Sequence, residues 1–149
     1  MKLVIQRVLS AGVVVNGDCV AEIGRGALVL AGVGAGDTEA DALHLARKTA
    51  KLRMFEDADS RMNESLNAVN GSCLVVSQFT LYGDCRKGNR PSFVGAADPE
   101  RGRALFELYV RELESAGIPV STGRFGAHMR VELVNDGPVT LMLESSGRA

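Results

Sequence analysis

The sequence contains no tryptophan, only two tyrosines and five phenylalanines. So few aromatic side chains argue against a stacking platform for single-stranded nucleic acid. The three cysteines, Cys19, Cys73 and Cys85, are odd in number and lack Cys-x-x-Cys spacing. This pattern argues against a disulfide framework and a zinc knuckle, and it indicates a reducing cytoplasm. The two histidines, His44 and His128, are isolated in the sequence, so we expect no metal site.

Charge and hydrophobicity exclude further classes. No apolar run reaches the length of a membrane span, and the first residues lack a signal-peptide pattern. The net charge of −1 provides no global basic field, so any contact with nucleic acid must come from a local patch. A length of 149 residues, 46% of them hydrophobic, fits one globular domain over residues 1–149 with a real core. We expect a cytoplasmic protein that makes no membrane contact.

Hydrophobic periodicity predicts the element order β-β-β-α-β-α-β-β-β. Asn16-Gly17 is typical of a hairpin turn between the first two strands. The helices are expected from Asp37 or Thr38 to about Phe55 and from Asp98-Pro99 to Gly117. The later strands are expected at 26–33, 72–78, 118–122, 128–134 and 139–143. The order predicts an α+β fold, a curled, mostly antiparallel, barrel-like sheet of about seven strands with two packed helices.

Two segments imitate ligand loops. Gly32-Val33-Gly34-Ala35-Gly36 lies between a strand and a helix, like a dinucleotide loop, but Asp37 stands where the third glycine belongs. A carboxylate there would repel a pyrophosphate, so a turn is favoured. The stretch 57–63 begins like a calcium loop, but Met62 replaces its required glycine. A solvated turn is again favoured.

Two other segments offer chemistry. Ser77-Gln78-Phe79-Thr80-Leu81 starts where a buried strand leaves the sheet, so its N–H groups and hydroxyls are candidates for an active site as well as for a polar strand cap. Just downstream, Arg86, Lys87 and Arg90 place three cations within five residues. They are either a solvated loop or a local phosphate clamp, and their clustering favours the clamp.

Asn135-Asp136-Gly137-Pro138-Val139-Thr140 interrupts strand-like sequence with a Gly-Pro step. Pro138 has no N–H for a sheet ladder, Gly137 allows close approach of another group, and an X-Pro bond is the one most able to be cis. A rigid, bare backbone edge of this kind could inspect a small group by shape.

Together these motifs resemble D-aminoacyl-tRNA deacylase over essentially the whole chain. The resemblance is carried by Gln6-Arg7-Val8, Ser77 to Leu81, Gly88 to Phe93 and Asn135 to Thr140. It implies hydrolysis of the ester in tRNA charged with a D-amino acid, and of glycyl-tRNA, especially when mischarged on alanine tRNA. It implies neither metal nor cofactor. It also implies a homodimer with its active site at the dimer interface, where a cis Gly137–Pro138 peptide reaches into the partner's pocket.

The resemblance assigns roles by position. The catalytic segment consists of Ser77, Gln78, Phe79 and Thr80. The chiral filter consists of Gly137 and Pro138, with Arg7 bracing it and Met129 beside it. The candidates for contacts with tRNA phosphates are Arg86, Lys87 and Arg90. Thr80 is the first candidate nucleophile and Ser77 the next, but no general base is evident for either. We favour catalysis by backbone N–H groups near Phe79 and Thr80, with assistance from the terminal 2′-hydroxyl of the tRNA.

Two other classes of function compete with this one. A nucleotide-binding enzyme built on 32–36 predicts a parallel sheet and tight dinucleotide binding. A non-catalytic, dimeric RNA-binding module accounts for the basic loop but gives the Gly137-Pro138 step no function.

Overall fold

The computed structural model describes residues 1–145, and the last four residues of the predicted 1–149 domain lie outside the described residues. The strands are β1 (Lys2–Val15), β2 (Asp18–Ile23), β3 (Gly26–Gly32), β4 (Phe55–Glu56), β5 (Met62–Glu64), β6 (Ser72–Ser77), β7 (Val120–Thr122) and β8 (Arg130–Glu144). The helices are α1 (Glu39–Lys51), α2 (Pro99–Ser115) and a 3-10 helix at Phe79–Tyr82. None of these helices is both long enough and apolar enough to cross a membrane.

The main sheet is organised by β1. Its strand order is β2-β1-β3-β6-β7, with β8 also paired to β1. Residues 2–8 of β1 pair with β3 and residues 11–15 pair with β2, so one strand connects two parts of the sheet. Register shifts next to Val8 and Val13 interrupt its ladders, and such bulges bend a strand and increase its twist. The sheet is therefore curled, and the predicted α+β class with two packed helices is confirmed.

The sheet is mixed, which refines the mostly antiparallel expectation. β1 runs antiparallel to β2, β3 and β8, whereas β6 runs parallel to both β3 and β7. The physical reason is connectivity. A helix lies between β3 and β6 and another between β6 and β7, and such a crossover returns the chain in its original direction. The carboxyl ends of these three strands consequently meet at one edge.

Two apolar clusters hold the layers together. The larger lies between the helices and one face of the sheet, where Leu45, Tyr109 and Leu113 are fully buried. Within it the Tyr109 hydroxyl lies 3.0 Å from Thr49 Oγ1, which satisfies the only polar atom of that buried ring. The smaller cluster is formed mainly by apolar side chains of β1, β3 and β6, among them Val13, Leu28 and Leu74.

Three boundaries differ from expectation. α1 ends at Lys51 rather than near Phe55, because Phe55 is buried in β4, which forms a hairpin with β5. That hairpin is absent from the predicted element order. The two strands expected at 128–134 and 139–143 form the single strand β8, which continues through the Gly-Pro step.

Close packing explains the glycines between β3 and α1. A Cβ on Gly34 would lie 2.7 Å from the Tyr82 ring, and a Cβ on Gly32 would lie 2.8 Å from the carbonyl oxygen of Gln78. Asp37, which stands at the third glycine position, is buried and accepts hydrogen bonds from the Gly34 N–H at 2.5 Å and the Tyr82 hydroxyl at 3.1 Å. This turn therefore supports the 3-10 helix, which favours the turn over the dinucleotide loop.

We expect Gly34→Ala to lower the free energy of unfolding by about 1–3 kcal/mol, because the added methyl must displace a ring held by its own hydrogen bond. Urea unfolding monitored by circular dichroism measures the effect. Gly36→Ala is the matched control, since no atom lies within 4 Å of its Cβ position. Equal stability of the two variants would contradict this account.

Candidate active site

A cleft of about 780 Å³ opens at the edge where β6 and β7 end. One side is formed by Ser77, the last residue of β6, with Gln78 and Phe79 after it. Another side is formed by residues 125–129, in the loop between β7 and β8. The parallel pairing of β6 with β7 brings these two segments together, because parallel strands deliver their following loops to the same edge.

Three of the four predicted catalytic residues line the cleft, and the fourth does not. Ser77, Gln78 and Phe79 are lining residues, whereas Thr80 is exposed outside it. The Gln78 side-chain amide donates a hydrogen bond to Thr80 Oγ1. Among residues 1–145, neither hydroxyl of Ser77 or Thr80 is hydrogen-bonded to a histidine or a carboxylate. An activated hydroxyl nucleophile therefore has no general base in this arrangement.

Backbone donors are available in the same segment. The N–H of Gln78 completes the ladder by donating to Ala31 at 2.8 Å, and the N–H of Leu81 donates to Gln78 at 3.2 Å. Between them, the N–H groups of Phe79 and Thr80 have no acceptor within the described part of the chain. They open the 3-10 helix, where the first N–H groups have no partner in the helix itself. Two consecutive free donors are suited to stabilising an oxyanion.

The cleft also has an apolar wall that the sequence reasoning missed. The rings of Phe79 and Phe93 meet edge to face with centroids 5.2 Å apart, and Val94 beside them is 89% exposed. The detectable signal was two consecutive apolar residues, Phe93-Val94, inside an otherwise polar loop. Exposed apolar surface of this kind marks a binding site more often than a structural one.

His128 lines the cleft as well, which its isolated position in the sequence did not reveal. Residues 1–145 contain no group of three or more histidine, cysteine, aspartate or glutamate side chains arranged to hold a metal ion. The polar groups that line the cleft include the Ser77 hydroxyl, the Gln78 amide and the His128 imidazole.

The Gly-Pro step lies in a wide bulge of β8. Asn135 pairs with Val8 and Thr140 pairs with Gln6, so residues 136–139 all face the single residue Arg7. The Asn135 side-chain amide closes the base of the bulge by donating to the carbonyl oxygens of Arg7 at 2.9 Å and of Val139 at 3.2 Å.

The Arg7 guanidinium fills this bulge. The side chain of Arg7 is buried, and its Nε donates to the Asp136 carbonyl at 3.2 Å and lies 3.2 Å from the Asp136 carboxylate. Nη1 donates to the carbonyl of Met54 at 2.8 Å. Gly137 has φ +110°, and a Cβ there would collide with the same guanidinium. Arg7 thus contacts the loop that it was expected to brace, through the backbone carbonyl and the carboxylate of Asp136.

The expected cis peptide bond at Gly137–Pro138 is wrong for this structure. No peptide bond among the described residues is cis. Asn135 and Thr140, on either side of the bulge, both pair with β1, so the chain leaves the ladder and rejoins it with a trans bond at the Gly137–Pro138 step. Both residues are exposed, so the step projects from the surface with its backbone accessible.

The filter residues and the catalytic segment are separated within one chain. Ser77 pairs with Ala31, which pairs with Leu3, whereas the bulge faces Arg7 on the far side of β1. Three strand spacings and four residues along β1 correspond to roughly 20 Å along the sheet. Neither Gly137 nor Pro138 lines the cleft.

Met129 belongs to the cleft. It was expected beside the filter, but it lines the cleft together with Ser77, and its sulfur lies 2.6 Å from the Cβ position of Gly123. The next residue, Arg130, pairs with Val14, at the opposite end of β1 from the bulge. Met129 therefore groups with Ser77, Gln78 and Phe79 in the cleft and not with the bulge.

The predicted basic loop is only partly available to a ligand. The Arg86 guanidinium binds the Asp84 carboxylate through Nε at 2.9 Å and Nη2 at 2.6 Å. Hydrogen bonds from Arg86 lower the pKa of Asp84 to about 2, so this carboxylate stays charged at neutral pH and offsets the arginine. Lys87 and Arg90 are exposed and form no salt bridge with any residue that the structure describes.

Comparison with known proteins gives matches over nearly the full length. A family model described as D-Tyr-tRNA(Tyr) deacylase matches residues 4–144. A D-aminoacyl-tRNA deacylase of Heliobacterium modesticaldum is 57% identical over 99% of this chain and 98% of its own length. Another from Thermotoga petrophila is 56% identical, with 98% of each chain covered. The solved structure of a c-Myc DNA Unwinding Element Binding Protein has a TM-score of 0.90 at 38% identity, covering 97% of this chain and 98% of that one.

We expect Arg7→Lys to lower the free energy of unfolding by about 1–3 kcal/mol. The planar guanidinium of Arg7 donates to both the Asp136 and the Met54 carbonyls, and the lysine ammonium cannot reproduce both hydrogen bonds. Denaturant titration measures the loss. Arg130→Lys, at an exposed position on β8, is the matched control and should be near neutral. If the two variants unfold at the same denaturant concentration, Arg7 does not brace the bulge.

Proposed function

The chain belongs to the D-Tyr-tRNA(Tyr) deacylase family, and from this premise we propose how its cleft and its bulge divide the hydrolysis of D-aminoacyl-tRNA between them. The reaction splits the ester between the amino acid and the terminal adenosine, releasing free D-amino acid and tRNA. The observation that carries the proposal is the pair of unpartnered N–H groups at Phe79 and Thr80, at the edge of a cleft that has no hydroxyl–base pair. Its substrate also assigns the enzyme to the cytoplasm, where charged tRNA is used.

Chiral selection is assigned to Gly137 and Pro138. The two enantiomers of an amino acid carry the same atoms and the same hydrophobicity, so attraction alone separates them poorly and a steric wall on one side of the α-carbon is needed. Backbone makes a stiffer wall than a mobile side chain. Here the wall is exposed, and Arg7 and Asn135 hold it from beneath. An L-side chain meets this wall, whereas a D-side chain points away from it.

The wall acts on the cleft of a second copy. Within one chain the step lies roughly 20 Å from Ser77, so a partner must supply it. The surface of β8 supports such a partner. This strand has β1 on one side and no neighbour on the other among the described residues, and Val134 and Met142 on it are 51% and 69% exposed. A long edge strand with exposed apolar side chains is suited to pairing with another chain. The assembly is a homodimer with its active sites at the interface.

Glycyl-tRNA is accepted for the same reason that D-aminoacyl-tRNA is. Glycine has no side chain to meet the wall, so the filter cannot reject it. Because the wall acts on only one side of the α-carbon, it does not distinguish one D-side chain from another. The proposed substrates therefore include glycyl-tRNA mischarged on alanine tRNA as well as a range of D-aminoacyl esters.

The chemistry is assisted by the substrate. Water attacks the ester carbonyl carbon, and the N–H groups of Phe79 and Thr80 stabilise the oxyanion that forms. The 2′-hydroxyl of the terminal adenosine orients the water and relays its proton to the departing 3′-oxygen, so the C–O bond breaks as the acid and the alcohol form. Gln78, half-buried in the cleft wall, orients the ester or the adenosine. The protein supplies position and preorganised donors rather than a nucleophile.

In the basic loop, Lys87 and Arg90 are more available than Arg86 to bind phosphates of the tRNA. The Asp84 carboxylate already neutralises the Arg86 guanidinium, whereas the other two cations are exposed. Exposed cations on a loop position an RNA backbone without reading its sequence.

We expect the wild type to hydrolyse D-tyrosyl-tRNA and to spare L-tyrosyl-tRNA, and Pro138→Ala to raise the L/D rate ratio at least about tenfold, equivalent to about 1.4 kcal/mol of lost discrimination. Deacylation of the two matched substrates measures both rates. Glu132→Ala, an exposed change elsewhere on β8, should leave the ratio unaltered. Retained D-ester hydrolysis shows that the variant is folded, and unchanged rejection of the L-ester would rule out the filter.

We expect Thr80→Ala to keep D-aminoacyl-tRNA hydrolysis within about tenfold of wild type, and removal of the terminal 2′-hydroxyl from the tRNA to slow it by roughly 100-fold or more. Single-turnover deacylation with both substrates tests this, with Ser77→Ala as a parallel variant. Circular dichroism reports the folded state. An inactive Thr80→Ala variant with native unfolding behaviour would establish the hydroxyl as the nucleophile instead.

A further inference from the structure

A second groove, of about 470 Å³, lies between α2 and the loop that follows β7. Arg103 and Arg111 line it from α2, and Arg124 lines it from the loop. All three side chains are exposed. One carboxylate, that of Glu107, shares the groove, so it carries three cations against one anion in a chain whose overall charge is −1.

The three arginines outnumber the single carboxylate of the groove and form no salt bridge among the described residues. None of the three lies within 4.0 Å of a carboxylate oxygen among residues 1–145, in contrast to Arg86. The Arg103 guanidinium lies 4.8 Å from the centre of the Phe125 ring, a contact that orients the cation and leaves its N–H groups accessible. An uncompensated arginine cluster in a concave surface is suited to phosphate.

The groove is continuous with the cleft. Phe125 lines both of them. The N–H of Gly123, in the groove wall, donates to the Val75 carbonyl on β6 at 3.3 Å, two residues before Ser77. The groove therefore begins where the catalytic segment leaves the sheet, and it extends along α2 away from the cleft.

We propose that this groove binds the phosphate backbone at the acceptor end of the tRNA, and this inference rests on the proposed function. Arg103 and Arg111 are eight residues apart on α2, which corresponds to about 12 Å along the helix axis. An RNA strand carries one phosphate per nucleotide, a few ångströms apart, so this length can contact more than one of them. With the ester in the cleft, the strand that carries it continues over Phe125 onto the arginines.

This assignment separates two parts of the substrate. The cleft binds the aminoacyl-adenosine, and the groove binds the tRNA body through charge alone. Loss of a groove arginine should therefore weaken the binding of tRNA without touching the chemistry of the ester. It should also lessen the dependence of binding on salt, because fewer counterions are released when fewer phosphates are neutralised.

Arg111→Gln, Arg124→Gln and the double variant test the proposal in the full chain, with D-tyrosyl-tRNA and D-tyrosyl-adenosine as substrates. Each single change should raise KM for the tRNA roughly three- to tenfold at physiological salt and reduce the salt slope of tRNA binding by roughly 0.7–0.9. The values of kcat should be unchanged, as should hydrolysis of D-tyrosyl-adenosine. Lys48→Gln, an exposed cation on α1 that lines neither the cleft nor the groove, is the matched control.

The outcomes are distinct. An unchanged KM and salt slope in the double variant would overturn the groove while leaving the proposed function intact. An equal loss on D-tyrosyl-tRNA and D-tyrosyl-adenosine would also overturn it, since the arginines would then support the cleft itself. A wild type inactive on both esters would instead refute the proposed function. Arg103 is left unchanged because its contact with Phe125 also supports the wall shared with the cleft.

Discussion

The buried carboxylate of Asp37 is the interaction on which the geometry of the site depends. It accepts hydrogen bonds from the Met1 amino group, the Gly34 N–H and the Tyr82 hydroxyl, and the backbone carbonyl of Asp37 accepts from Arg101. Four segments thus meet at one residue: the start of β1, the glycine turn, the 3-10 helix and α2. Burial and the adjacent carboxylate raise the pKa of Tyr82, so its phenol stays protonated and continues to donate. A buried charge with several partners fixes their relative positions, because moving any of them leaves it unsatisfied.

The strand topology determines which segments lie next to the catalytic segment. The two crossover helices make β3, β6 and β7 parallel, so the Ser77 segment and residues 125–129 share one edge. β8 runs antiparallel along β1 on the other side, so its bulge is carried away from that edge. One chain therefore holds the cleft and the Gly137-Pro138 step apart. In the proposed two-fold dimer, each copy supplies this step to the cleft of the other.

Local residue types were sufficient to identify the two motifs, but not to predict the bulge or the parallel strand pairs. The Gly137-Pro138 step and the Ser77 segment could be identified because their residue types are costly in ordinary sheet. The bulge itself could not, since it depends on the register of β8 against Arg7, more than 120 residues away in the chain. The parallel pairs were missed because the sequence identifies hairpins locally but does not reveal which strands a helix connects. Thr80 was assigned from its motif and Met129 was expected beside the filter, whereas their positions depend on the direction of the 3-10 helix and of the loop beside Gly123.

The division between cleft and wall also bears on why a deacylase would lack a strong nucleophile. Most aminoacyl-tRNA in a cell carries an L-amino acid and must survive, so any hydroxyl activated by a base would threaten it at each encounter. In the proposed mechanism, the donors of Phe79 and Thr80 act only on an ester already bound beneath the Gly137-Pro138 wall, and the remaining assistance comes from the substrate's own 2′-hydroxyl. Selectivity is then a matter of position rather than of reactivity. A backbone wall braced by Arg7 holds its position better than a side chain with free rotamers. In the proposed mechanism, this one rigid feature both rejects the L-side chain and limits hydrolysis to an ester bound beneath it.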